Sequence, residues 1–210
     1  MSEYLRDAEA IYRQSFAAIR AEADLSRFPE ALHPLATRLM HACGMVEIAP
    51  DLLFNLDPLA AARAALRAGA PVIADCAMVA AGIVRRRLPA QNPVLCFLDD
   101  PRATLLAAAG RTTRSAAAVD LWPEKMAGAV IAIGNAPTAL FRLIEILERG
   151  APKPAALFAF PVGFVGAAES KAALAARIGD VPFATLSGRR GGSPLAAAGV
   201  NAALVGEGAA

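Results

Sequence analysis

The chain has 210 residues, of which 56% are hydrophobic and 19% charged, and a formal net charge of +2. That is enough apolar material for a substantial core and too little charge for a disordered chain. Aromatic residues make up only 6% and no block of five like charges occurs, which leaves little for base stacking or a nucleic-acid face.

The uncharged runs Met126–Phe141 and Pro154–Ala168 are broken by Gly and Pro. They are shorter than the ~20 apolar residues a membrane span needs. Three scattered cysteines, Cys43, Cys76 and Cys96, form no CxxC pair, which points to reduced thiols in a cytoplasm. The first residues carry Glu3, Arg6, Asp7 and Glu9 and no apolar run of the signal-peptide kind.

Helical spacing of Leu5, Ala8, Ile11, Tyr12, Phe16 and Ile19 predicts a helix over residues 3–23. Ser15 falls on its apolar stripe, so its hydroxyl either bonds back to its own helix or faces a ligand or partner. A second helix starts at Phe28–Pro29, carries Leu32, Ala36, Leu39 and Cys43 as its core stripe, and is closed by Gly44. Asp57–Pro58 opens a third helix that ends near Gly69. The rest alternates apolar strand, turn and helix. Strands are expected at Pro71–Ala74, Pro93–Leu98, Val130–Ile133, Ala155–Phe160 and Pro182–Leu186. Helices follow around Met78–Val79, over Pro101–Gly110 and Ser115–Trp122, from Pro137 to Gly150, over Val165–Ile178, and from Pro194. This rhythm predicts a single α/β domain, a mostly parallel open sheet of about five strands with helices on both faces.

In such sheets ligands bind beyond the carboxyl ends of the strands. Three strand ends carry glycine-rich loops that open helices: Gly134–Thr138, Pro161–Gly166 and Ser187–Pro194. The first, within VIAIGNAPTALF, places Pro137 at the first helical position and Asn135 or Ala136 at the cap, a junction whose free N–H groups favour an anion. None of the three has the Gly-Lys-Ser/Thr ending of a Walker loop or the GxGxxG fingerprint, so a nucleotide module has geometry in its favour and no diagnostic residues.

Catalytic side chains are few. His33 precedes Pro34 early in a helix and reads as structural. His41 lies opposite the core stripe of its helix and in its last turn, where the negative end of the dipole favours imidazolium. His41 and Cys43 are two apart on a helix and diverge, which argues against a Cys–His couple. Two histidines and three scattered cysteines offer no metal-ligand spacing. Asp99–Asp100 before Pro101 reads as a helix cap, and Arg111 and Arg114 sit at a turn where a guanidinium could fork onto a carboxylate.

Several stretches together resemble the precorrin-8X methylmutases of cobalamin biosynthesis. They are AIYRQSF (Ala10–Phe16), AEADLSRF (Ala21–Phe28), HACG (His41–Gly44), Ala64–Pro71 with Asp75 and Met78–Val79, TRSAAA (Thr113–Ala118), AIGNAPTAL (Ala132–Leu140) and PVGFVGAAESK (Pro161–Lys171). The resemblance implies an isomerase that moves a methyl group from carbon 11 to carbon 12 of precorrin-8X, giving hydrogenobyrinic acid. The shift is intramolecular, so no cofactor or metal is implied. It also implies a homodimer, with His41 as proton donor and Ser15 and Arg114 as substrate contacts. Asn135, Thr138 and the amide at Gly163 are further candidates for the substrate's carboxylate rim. Two alternatives stay open at this point: the cobalt-precorrin-8 methylmutase of the anaerobic route, and a tetrapyrrole carrier without catalysis.

Overall fold

The computed structural model describes residues 4–205. Glu3, the expected first residue of the first helix, lies outside them. Asp7 caps α1 (Ala8–Glu22) by accepting from the Glu9 amide, so the helix begins later than its apolar spacing suggests. Two single 3-10 turns, Leu25–Arg27 and Glu30–Leu32, precede α2 (His33–Cys43), where a continuous start at Phe28–Pro29 was expected. Gly44 ends α2 in the left-handed conformation, φ 69°, as its position predicts.

The chain continues through β1 (Leu52–Asn55), α3 (Pro58–Arg67), β2 (Val72–Ala74), α4 (Ala77–Gly82), β3 (Val94–Cys96) and α5 (Pro101–Gly110). Then follow α6 (Arg114–Val119), α7 (Pro123–Met126), β4 (Val130–Ile133), α8 (Pro137–Glu148), β5 (Ala156–Ala159), α9 (Ala167–Arg177), β6 (Phe183–Leu186) and α10 (Ser193–Ala203). The strands form one sheet in the order β1-β6-β5-β4-β2-β3. Five of them are parallel, as expected, and each falls where the sequence places it.

The sixth strand corrects the expected count of about five. It is β1, which pairs antiparallel with β6 at the edge, Leu52 opposite Leu186. Only Leu52 of its four residues is fully buried. A four-residue edge strand, three of whose residues are partly or fully exposed, has no apolar run to announce it.

Strand periodicity divides the core between two faces. Val72, Ala74, Val130, Ala132, Ala156, Phe158, Ala184 and Leu186 pack under α2, α3, α4 and α10. Ile73, Ile131, Ile133, Leu157, Ala159 and Phe183 pack under α8 and α9, with Val119, Trp122 and Met126 beside them. Two close approaches set the spacing on the first face. A Cβ on Gly199 of α10 would lie 2.4 Å from the Phe158 ring, and one on Gly134 would lie 2.7 Å from the Ser193 backbone and from Val79.

The chain leaves β2 to one side, makes β3, and crosses back to place β4 on the other side of β2. The carboxyl ends of β2 and β4 are therefore the point where connections diverge, the usual ligand crevice of an open α/β sheet.

Candidate functional site

The crevice holds an anion already, and it belongs to the chain. Asp75, one residue past β2, is 4% exposed. Its Oδ1 accepts from the Gly134 amide at 2.9 Å, and its Oδ2 accepts from the Asn135 and Ala136 amides at 2.9 and 3.0 Å. The donors expected to receive an anionic ligand are thus occupied by a side chain from the neighbouring strand. Ala136 is the cap residue of α8 and offers no side-chain acceptor; Asp75 does that work from across the sheet. Burial pushes the Asp75 carboxyl above its ordinary value, and the three amides pull it only part of the way back.

The other two glycine loops each have an amide bonded within the chain as well. The Gly163 amide donates to the Arg189 carbonyl at 3.2 Å, and the Gly192 amide to the Phe160 carbonyl at 2.7 Å. The helix after PVGFVG begins only at Ala167, behind Gly166 at φ 79°. So the amides of Gly134, Gly163 and Gly192, expected to serve a substrate rim, are bonded within the chain instead.

Ser15 and His41 come together directly. α1 lies on α2 through Phe16, 1% exposed, and Ile19. That places the Ser15 hydroxyl 2.8 Å from His41 Nδ1, so the serine is not bonded back to its own helix. The imidazole stacks on Phe16 with ring centroids 4.8 Å apart and meets Tyr12 edge-on at 5.7 Å. As its position opposite the core stripe predicts, His41 is exposed to a cleft. The cleft is a cavity of about 400 Å³ between α2, α4 and α10, walled by Met78, Gly82, Pro194 and Ala197 with Arg38, Ser193 and Asn201 as polar members.

Arg38 is a site residue that sequence reasoning missed. It lies three residues before His41 and so shares its helix face, a signal that was available. Its guanidinium donates to the Tyr12 hydroxyl and sits 5.1 Å from the Phe16 ring centroid. Among the described residues no carboxylate lies within ion-pair distance of it. Burial first, and then the Arg38 charge, hold the His41 imidazole below its ordinary value. This reverses the expectation drawn from the helix dipole, which would have raised it.

Arg114 and Thr138 belong to the opposite face of the sheet. Thr113 caps α6 and exchanges a hydrogen bond of 2.8 Å with the Thr138 hydroxyl in the first turn of α8. Arg114 is exposed and lies 3.8 Å from Asp99. Thr138 borders a separate cavity of about 660 Å³ with Asp120, Phe141 and Arg142. Asn135 is exposed at the crevice. His33 is structural, as expected: its Nε2 lies 3.1 Å from the Phe28 carbonyl.

The comparisons with known proteins concern the chain as a whole. A family model described as "CbiC: Precorrin-8X methylmutase" matches residues 10–205. A precorrin-8X methylmutase of Sinorhizobium sp is 59% identical over 95% of each chain. One of Pseudomonas aeruginosa is 56% identical over 96% of this chain and 97% of its own. A crystal structure titled as the precorrin-8x methyl mutase of Thermus thermophilus superposes with a TM-score of 0.84 at 35% identity, covering 94% of this chain and 95% of that one. With a family model spanning nearly all of its length and relatives this similar, the chain belongs to the precorrin-8X methylmutase family.

Proposed function

We propose that His41 donates the proton in the isomerisation that gives this family its name. As a member of the family the chain is an isomerase of cobalamin biosynthesis. The methyl group on carbon 11 of precorrin-8X moves to carbon 12, giving hydrogenobyrinic acid. The migrating group never leaves the macrocycle, so the step calls for a proton and a fixed orientation and for no carrier of the methyl group.

The Ser15–His41 hydrogen bond is the observation that carries the assignment. Either tautomer of the neutral ring is possible, but in the imidazolium both nitrogens donate. Nδ1–H then points at Ser15 and Nε2–H, which has no protein partner among the described residues, is left for the substrate. A low pKa makes His41 a strong acid once charged and leaves it mostly neutral in the free protein near pH 7. Substrate supplies the correction. A corrin precursor is an apolar disc rimmed with carboxylates; one that settles on Arg38 cancels the charge that disfavours imidazolium.

Arg114, Thr138 and Asn135 are the proposed contacts for the rest of the rim. Within one chain they do not line the cavity that holds His41. A homodimer that closes over the carboxyl edge would join the two sets. Exposed apolar residues at that edge, Met78 at 71% and Phe164 at 85%, suit such a cover. The three free thiols fit a cytoplasmic enzyme.

Purified protein mixed with precorrin-8X is expected to develop the hydrogenobyrinic acid spectrum. The His41→Ala variant is expected to keep product binding and to lose ~10²–10⁴-fold in turnover, the usual share of general acid catalysis. Turnover at the parent rate would remove His41 from the role.

A further inference from the structure

We propose that Arg189, seated on the Phe164 ring and presented by a buried lysine clamp, receives a carboxylate of the substrate's rim; the inference rests on the function proposed above. Three observations converge on the loop between β6 and α10.

The first is Lys171. It is 1% exposed, on the inner face of α9, and its Nζ donates to the Arg190 carbonyl at 2.6 Å. Among the described residues it has no carboxylate partner. Burial, and then repulsion from Arg190, lower its pKa to about 8. An ammonium so placed is costly, and a methionine of similar volume would fill the space without that cost. The lysine's polar work is done on one backbone carbonyl.

The second is how tightly that loop is tied. The Gly163 and Gly192 amides lace it to the Phe160–Gly166 loop. A Cβ on Gly191 would lie 2.4 Å from the Phe160 carbonyl oxygen and 2.5 Å from that of Pro161, so the two backbones touch where only glycine fits. Directly after it, Ser193 and Pro194 form the lip of the His41 cavity.

The third is what the loop leaves free. The Arg190 guanidinium is paired with Asp51 and its carbonyl is held by Lys171. Arg189 is exposed, has no carboxylate within ion-pair distance among the described residues, and holds its guanidinium 5.4 Å from the Phe164 centroid. Phe164 and Val165 are 85% and 88% exposed beside it. An apolar platform with one unpaired guanidinium above it matches the chemistry of an apolar disc with a carboxylate rim. The Gly163 and Gly192 amides are engaged within the chain, while the Arg189 guanidinium is open to that rim. Lys171 is a positioning residue here, since it acts through the loop and not on the substrate.

The test uses the full-length protein, with hydrogenobyrinic acid as the binding probe and precorrin-8X as substrate. Arg189→Gln is expected to weaken product binding and raise KM roughly tenfold, as for loss of one charged hydrogen bond, with kcat within twofold of the parent. The loss should shrink towards nothing for a product whose side-chain carboxylates are methyl esters. Lys171→Met should show the same split, and the double variant should be no weaker than Arg189→Gln alone, because both act on one contact. Arg189→Lys should recover part of the affinity. Unchanged KM in Arg189→Gln, an equal loss with the ester, or additive losses in the double variant would overturn the inference. A parent protein that neither binds the product nor converts precorrin-8X would overturn the functional assignment and this inference with it.

Discussion

Replacing Asp75 is expected to cost more stability than any ordinary loop carboxylate. Its two oxygens take three amide hydrogen bonds in a site 4% exposed. Asn in its place keeps one acceptor. If the amide oxygen faces Asn135 and Ala136, its NH2 group confronts the Gly134 amide, donor against donor. A buried donor left unmet costs about 1–3 kcal/mol, and hydrogen bonds to a charged group are worth more than neutral ones. The three bonds share one group and do not add, so about 3 kcal/mol is the expected loss for Asp75→Asn. For a chain of this size each kcal/mol moves Tm by about 2–4 °C, which puts the drop at about 6–12 °C. Circular dichroism melts of parent and variant measure it. Asp75→Gly should fall further and regain stability in sulfate, because it vacates an amide cradle at a helix N-terminus. A melt of Asp75→Asn within about 2 °C of the parent would refute the idea that this carboxylate ties β2 to β4.

Ser15→Ala removes the only described partner of His41 Nδ1; a bond of about 1 kcal/mol is worth about fivefold in kcat, and an unchanged kcat would show that Ser15 does not orient the ring. Arg38→Met should raise the His41 pKa towards its ordinary 6.5, followed by NMR titration of the chain's two histidines, and a fall or no movement would contradict the assigned repulsion. Because the folded pKa lies below the unfolded one, the unfolded chain binds more protons between the two, so His41 makes stability rise with pH in that window. For the same reason kcat/KM, which reports the free enzyme, should begin to fall with rising pH below 6.5; a limb above 6.5 would mean another group supplies the proton.

The fold was legible wherever burial left a one-dimensional trace. Val130–Ile133 and Pro101–Gly110 coincide with their elements because Gly, Pro and Asp punctuate them on both sides. Four of the five parallel strands are buried throughout and β3 is half-buried, and all five read as apolar runs. β1 is different in kind. Its pairing with β6 is set by residues about 130 positions away, Leu52 with Leu186, and its own four residues alternate too briefly to signal a strand. The late start of α2 is local in origin: Pro29 opens the second 3-10 turn, and Pro34 sits in the first turn of the helix that follows.

The site shows where local rules stop. Helix periodicity placed His41 off the core stripe correctly, because that is a property of one element. The protonation of His41 is a property of two helices and a cavity. A helix dipole acts through partial charges at the end of the helix and is screened where water reaches it. Arg38 carries a full charge on the same face, and Tyr12 and Phe16 of α1 remove water from one side of the imidazole. Desolvation and a like charge therefore win over the dipole. The glycine loops follow the same logic. Each is a sound anion cradle taken alone, yet Asp75 fills one, and the carbonyls of Arg189 and Phe160 engage one amide in each of the other two. A guanidinium can be tuned by what it leans on, and the two arginines proposed to meet the carboxylate rim each lie on aromatic rings, Arg38 on Tyr12 and Phe16 and Arg189 on Phe164.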